Sequence, residues 1–236
     1  MKTFSDLSFN SSDVNEPWAA LFDLDGVLID SEGIYTDFWH RIDERYPTGV
    51  DKFEYVIKGS TLNSILSTYF PDARVRSLVV DELKEHERNM DYVLFDGAES
   101  LLISLRTSGI KTAIVTSSNL AKMKHLFSKL PCLEELVDVV ITEEDVSLSK
   151  PHPQGYNLAA LRLGVSPCRC IVFEDSLAGV EAGRRAGGAV VGVATTNPAN
   201  LLEEFADVIV NTIAEVNIDC LPALLPTAEL SVRYRF

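Results

Sequence analysis

The stretch WAALFDLDGV, residues 18–27, decides the fold. Its apolar half has the length and composition of a strand that is buried on both faces, and the strand ends at Asp23. Alternation along an extended chain puts Asp23 and Asp25 on the same side, where two carboxylates repel each other unless a cation lies between them. Mg²⁺ prefers oxygen ligands, so this turn predicts a Mg²⁺ site. An acidic surface turn is the alternative.

Five more short apolar runs follow, and most of them are separated by segments with helical periodicity. Val and Ile dominate these runs, as is typical of strands in a parallel sheet. The pattern predicts an α/β fold, a doubly wound parallel-sheet core of the Rossmann-like kind. The predicted strands after the first are residues 111–116, 138–141, 170–174, 189–193 and 207–210, and the predicted helices are 98–108, 120–130, 153–163, 177–186 and 198–205.

One long segment interrupts this alternation. Residues 31–96 contain no convincing buried strand, but 34–46, 61–69 and 74–92 are amphipathic at the helical period. We therefore predict an inserted α-helical cap domain. The predicted organisation is a flexible extension over residues 1–16, a catalytic core over 17–30 and 97–236, and the cap over 31–96.

The charge of the chain limits its partners. Of 236 residues, 21 are Lys or Arg and 35 are Asp or Glu, giving a net charge of −14. Such a surface repels nucleic acid and anionic membranes, so we expect neither as a partner. The first residues do not resemble a signal peptide, and four cysteines in mostly apolar surroundings predict free thiols in a reducing, cytoplasmic setting. We expect a monomer or a weak dimer.

Three further polar fragments follow predicted strands. They are Thr116-Ser117-Ser118-Asn119, Lys150 before two prolines, and Glu174-Asp175-Ser176. Open α/β sheets bind ligands beyond the carboxyl ends of their strands, so we expect these fragments to meet the Asp23 turn. Each has an ordinary alternative, because such residues are also helix caps, and lysines are common on surfaces.

In this order the fragments resemble the motifs of the haloacid dehalogenase-like superfamily. The sequences FDLDGVLIDSE, SKPHP and FEDSLAGVEAGRRAG are similar to the branch that contains β-phosphoglucomutase and small sugar-phosphate phosphatases. That branch carries a helical cap between its first two motifs, as inferred here for residues 31–96. The resemblance extends over most of the chain, from Trp18 to about Asn211.

The resemblance implies roles for the residues at the ends of the predicted strands. Asp23 would be the nucleophile that forms an aspartyl-phosphate, and Asp25 would be the acid and base. Lys150 would neutralise the nucleophile and the phosphoryl group. Mg²⁺ would be held by Asp23, the backbone carbonyl of Asp25 and Asp175, with Glu174 close by.

The same resemblance implies a binding site for a small phosphorylated metabolite. Thr116 would bind the phosphoryl oxygens, helped by the backbone of Ser117. We also assign Asn119, in the same loop, and Gly59, in the cap, to substrate binding.

Water or a second sugar hydroxyl could accept the phosphoryl group, making the enzyme a phosphatase or a mutase. β-Phosphoglucomutases have a His on the first cap helix where this chain has Tyr35, and an Arg in a cap turn where it has Leu62. Without that Arg a bisphosphate intermediate is harder to hold, so we expect a phosphatase. A mutase is the alternative within the enzyme class. A catalytically silent binding protein is the alternative from another class, but it would be expected to have lost Asp23, Asp25 or Lys150.

Overall fold

A computed structural model of the chain describes residues 3–4, 16–57 and 62–226. The chain forms two compact units. One contains the residues up to Asp30 together with those from Val93 onwards, and the other contains Ser31–Tyr92. The predicted flexible extension lies largely outside the described residues.

A six-stranded parallel sheet forms the centre of the larger unit, so the predicted α/β fold is confirmed. The strand order is β3-β2-β1-β4-β5-β6, which places the first strand in the middle of the sheet. The strands are β1 (Ala19–Phe22), β2 (Lys111–Val115), β3 (Val139–Ile141), β4 (Cys170–Glu174), β5 (Ala189–Val193) and β6 (Val208–Val210).

Apolar side chains on both faces of the sheet explain why these runs form strands. Every residue of β1, β4, β5 and β6 is buried. Phe22 of β1 is paired in register with Phe173 of β4, and their rings stack with centroids 4.5 Å apart. Burial of this apolar surface is the main favourable contribution to the stability of the sheet.

Helices in the smaller unit enclose an aromatic cluster that includes Phe38, Trp39, Phe53 and Phe70. The short helix around Phe53 was not predicted, because a single turn contains too few residues to show the helical period. The long final helix ends at Asn89 instead of the predicted residue 92. The helices are α1 (Glu32–Arg45), α2 (Phe53–Val56), α3 (Leu62–Tyr69) and α4 (Ala73–Asn89).

Helices of the larger unit mostly follow the predicted segments. The exceptions are α7, a short helix begun by a proline that was not predicted, and α10, which covers only part of the predicted 198–205. The helices are α5 (Ala98–Thr107), α6 (Leu120–Lys129), α7 (Pro131–Leu136), α8 (Gln154–Leu163), α9 (Leu177–Ala186) and α10 (Ala199–Leu202). No helix among the described residues is both long and apolar enough to cross a membrane.

The chain leaves and re-enters the larger unit at adjacent points. The Asp30 N–H donates to the Val93 carbonyl at 2.9 Å, and the Phe95 N–H donates to the Leu28 carbonyl at 2.9 Å. These hydrogen bonds attach the segment from Val93 onwards to the larger unit, so the smaller unit ends at Tyr92 and not at the predicted residue 96. The pairing involves too few residues to show a strand pattern in sequence.

Candidate active site

The turn after β1 presents Asp23 and Asp25 at the carboxyl edge of the sheet. The Asp23 N–H donates to the Phe173 carbonyl at 2.9 Å, so Asp23 continues the β1–β4 ladder. The chain then turns, and Gly26 has a φ of 85°. A Cβ at Gly26 would lie 1.9 Å from Asp175 Oδ2, so only glycine allows this close approach.

Lys150 reaches the nucleophile candidate from the loop before α8. Its Nζ donates to Asp23 Oδ1 at 2.5 Å, to Glu174 Oε1 at 2.5 Å and to the Val115 carbonyl at 2.9 Å. Its ammonium group therefore lies between two carboxylates, as a charge-balancing role requires.

The backbone beside Lys150 forms a turn. The Lys150–Pro151 peptide bond is cis, and the His152 N–H donates to the Ser149 carbonyl at 3.0 Å, which closes a turn. The His152 ring accepts a hydrogen bond from the Gln154 N–H at 3.2 Å, consistent with a residue at the start of a helix.

Glu174, the last residue of β4, is completely buried. Its Oε1 accepts from Lys150 and from the Tyr156 hydroxyl, the latter at 2.7 Å. Its Oε2 accepts from the Asp175 N–H, the Ser176 N–H and the Ser176 hydroxyl at 3.0–3.2 Å. Both oxygens are thus engaged by protein donors. In this arrangement Glu174 positions Lys150, and its predicted role as a metal ligand stays a prediction.

A divalent cation fits the carboxylates at this edge. One carboxylate oxygen each from Asp23, Glu174 and Asp175 lie within 4.8 Å of one another. Together with Asp25 they make four carboxylates, whereas Lys122 and Lys150 supply two ammonium groups. A divalent ion would neutralise the remaining charge, and an oxygen donor set suits Mg²⁺. Asp23 and Asp175 are the residues best placed to hold it.

Burial and the close approach of like charges shift the pKa values of these groups. Burial, opposed by Lys150 and reinforced by Glu174, raises the pKa of Asp23 to about 7. Burial and the carboxylates of Asp23 and Glu174 raise the pKa of Asp175 well above its usual value. Burial alone would lower the pKa of Lys150, but Asp23 and Glu174 outweigh it and raise that pKa. A bound cation would favour the ionised carboxylates.

The loop after β2 lies beside these groups. Thr116 is buried, and its hydroxyl accepts from the Ser118 N–H at 3.0 Å, while Ser117 is exposed. Asn119 has a structural role, because its side-chain oxygen caps α6 by accepting from the Lys122 N–H at 2.8 Å. Helix capping was the alternative to substrate binding for this residue, and it already engages the side-chain oxygen. Phosphate binding by Thr116 and Ser117 stays a prediction.

Sequence reasoning missed Lys122. Its Nζ lies 2.8 Å from both Oδ1 and Oδ2 of Asp25, and the lysine is buried. The Ser118 hydroxyl donates to Asp25 Oδ2 at 3.1 Å. Nothing in the local sequence distinguishes Lys122 from a surface lysine on an amphipathic helix.

The segment after β5 was also missed. The Thr195 hydroxyl donates to the Gly26 carbonyl at 2.5 Å, and the Asn197 amide donates to the Asp175 carbonyl at 3.0 Å. These residues support the turn and a candidate metal ligand. Their position could have indicated them, because they are polar residues that follow a buried strand, as Asp25 and Asp175 do.

The residues predicted to act from the cap belong to the segment Ser31–Tyr92. Gly59 lies outside the described residues, so its assignment to substrate binding stays a prediction. Leu62 begins α3, and the Tyr35 hydroxyl donates to Glu87 Oε1 at 3.0 Å within the smaller unit.

Comparison with known proteins identifies the class to which this fold and site belong. The family model of haloacid dehalogenase-like hydrolases matches residues 19–187, so the chain belongs to that family, as predicted, and is a phosphoryl-transfer enzyme. It is 36% identical over 205 residues to validoxylamine A 7'-phosphate phosphatase of Streptomyces hygroscopicus subsp. limoneus, covering 84% of this chain and 94% of that protein.

A second relative and a solved structure agree with this classification. The chain is 30% identical over 204 residues to hexitol phosphatase A of Escherichia coli, covering 84% of this chain and 92% of that protein. A haloacid dehalogenase family hydrolase from Deinococcus radiodurans, crystallised with phosphate and sodium, is 27% identical with a TM-score of 0.72. That match covers 90% of this chain and 99% of the other.

Proposed function

We propose that the protein is a Mg²⁺-dependent phosphatase that hydrolyses a small phosphomonoester through an aspartyl-phosphate. The observation that supports this proposal is that Asp23 contacts the Lys150 ammonium and also has a carboxylate oxygen within 4.8 Å of one from Asp175. Lys150 engages Asp23 Oδ1, so we assign Oδ2 as the attacking oxygen. A carboxylate nucleophile needs no separate base at neutral pH.

The reaction has two balanced steps. In the first, Asp23 Oδ2 attacks phosphorus, the ester P–O bond breaks, and Asp25 gives a proton to the departing alkoxide. In the second, water attacks phosphorus, its proton passes to Asp25, the Asp23–phosphorus bond breaks, and inorganic phosphate leaves. Mg²⁺, when bound, would offset the charge of the carboxylates and of the phosphoryl oxygens.

Two observations favour water over a sugar hydroxyl as the acceptor. Both relatives described above are named as phosphatases. Tyr35 and Leu62 also occupy the positions where the mutase resemblance would require His and Arg. Sugar phosphates and related polyol phosphates are therefore the first substrates to test.

Substitution of Asp23 tests the nucleophile. We expect Asp23→Asn to lower turnover of 4-nitrophenyl phosphate by more than about 10³-fold, because the amide cannot form the aspartyl-phosphate. Asp219→Asn, at an exposed position of the same unit, is the matched control and should keep wild-type activity. Near wild-type turnover by Asp23→Asn would refute the assignment.

Metal removal and product analysis test the rest of the proposal. Dialysis against a chelator should abolish turnover, and added Mg²⁺ should restore it. With β-glucose 1-phosphate and a trace of the bisphosphate, we expect free phosphate to be released. Rapid accumulation of glucose 6-phosphate would instead identify a mutase.

A further inference from the structure

Lys122 makes a contact that neither the family resemblance nor the proposed reaction requires. It lies in the first turn of α6, where a lysine would ordinarily extend into solvent. Its side chain is instead only 6% exposed, and its Nζ is 2.8 Å from each carboxylate oxygen of Asp25. Lysines are rarely buried unless they are paired, so this ion pair determines where the side chain lies.

The Asp25 side chain needs a restraint of this kind. It is 30% exposed and stands on a turn, so its two side-chain torsions are not fixed by packing alone. Lys122 holds both oxygens, and the Ser118 hydroxyl donates to Oδ2 at 3.1 Å. Both partners lie in or just before the first turn of α6, whose start is fixed by the Asn119 cap.

We propose that Lys122, assisted by Ser118, is a positioning residue that holds the Asp25 carboxyl group where it can transfer a proton to the leaving oxygen. This inference rests on the proposed phosphatase function. Proton transfer depends steeply on the placement of the donor, and small displacements are costly. In this step Asp25 starts in its protonated form, its proton moves to the leaving oxygen as the P–O bond breaks, and the carboxylate that forms is left paired with the Lys122 ammonium.

Leaving-group dependence separates this role from a general structural one. Phenyl phosphate expels a basic phenoxide that benefits from protonation, whereas 2,4-dinitrophenyl phosphate expels an anion that does not. The quantity to compare is kcat/KM, because it reports only the steps up to departure of the leaving group. Hydrolysis of the aspartyl-phosphate, which also uses Asp25, does not enter it.

The expected result is a selective loss. For Lys122→Met we expect kcat/KM to fall about 10- to 100-fold with phenyl phosphate but less than about threefold with 2,4-dinitrophenyl phosphate. Lys122→Arg keeps the positive charge, and its planar guanidinium can contact both carboxylate oxygens, so it should recover part of the loss with phenyl phosphate. Lys124→Met, on the exposed face of the same helix, is the matched control and should leave both values unchanged.

Ser118→Ala provides a second test that does not depend on correct folding of the lysine variant. It removes one hydrogen bond from the same carboxylate and should produce a smaller loss of the same selectivity. Equal losses with the two esters in folded variants, or no loss in either, would overturn the inference. If the wild-type enzyme releases phosphate neither from these esters nor from sugar or polyol phosphates, the proposed function itself fails, whereas the other two outcomes concern only the role of Lys122.

Discussion

At the scale of single residues, Glu174 shows how the site is held together. It is a buried anion that accepts hydrogen bonds from Lys150, Tyr156 and the start of the following helix. A buried charge is tolerated only when it is paired and hydrogen-bonded. Lys150 therefore has a fixed position because Glu174 is satisfied, and Asp23 is oriented in turn by Lys150.

Removal of the Tyr156 hydroxyl tests this dependence. We expect Tyr156→Phe to cost about 1.5–3 kcal/mol of unfolding free energy, since a hydrogen bond to a buried carboxylate is lost. In a protein of this size that corresponds to a fall in Tm of about 3–12 °C, measurable by calorimetry. Tyr55→Phe is the control, because Tyr55 is 56% exposed. Equal Tm values for Tyr156→Phe and the wild type would contradict this account.

The residues of the site were predictable to different degrees. Asp23, Glu174 and Asp175 could be placed together because each ends or directly follows a strand, and parallel strands share one carboxyl edge. Lys150 lies in the loop between β3 and α8, which begins at that same edge. Lys122 could not, because its burial depends on Asp25, which is 97 positions away in sequence. Asn119 was predicted to bind the substrate, yet its side-chain oxygen caps a helix. The local sequence is compatible with either role.

At the scale of elements, α9 packs closely against the end of β4. A Cβ at Gly179 would lie 1.9 Å from the carboxyl carbon of Glu174, so the helix can approach only where it has no side chain. The strands were predicted well because most of their residues are apolar on both faces. The short helices α2 and α7 were missed, since fewer than two turns carry no detectable period.

A pair of glycine substitutions tests this close approach. We expect Gly179→Ala to cost at least about 2 kcal/mol of unfolding free energy and most of the activity, because the methyl group displaces Glu174. Gly33→Ala, in α1, has nothing within 4 Å of the new methyl group. It should be neutral or stabilise the protein by up to about 1 kcal/mol. Denaturant unfolding of both variants gives the comparison, and similar values for the two would refute the packing argument.

At the scale of the whole molecule, the net charge of −14 opposes an anionic substrate. The two lysines of the site act only at short range. Added salt shortens the Debye length from about 30 Å at 0.01 M to about 10 Å at 0.1 M, and so screens the long-range repulsion.

We therefore expect kcat/KM for a phosphate ester to rise about two- to tenfold over this range of salt, with kcat nearly constant. Potassium chloride and tetramethylammonium chloride should act alike if ionic strength is the cause. A fall in kcat/KM with salt would show that the local cations outweigh the overall charge.

The hydrogen bond between Asp30 and Val93 has a consequence for how such a protein can change. The inserted segment leaves the larger unit at Asp30 and rejoins it at Val93, and these two residues are hydrogen-bonded to each other. Any replacement segment therefore only needs ends that lie close together. Residues 31–92 could be exchanged for another helical segment without altering the order of the strands. The chemistry and the inserted module can therefore diverge under separate selection.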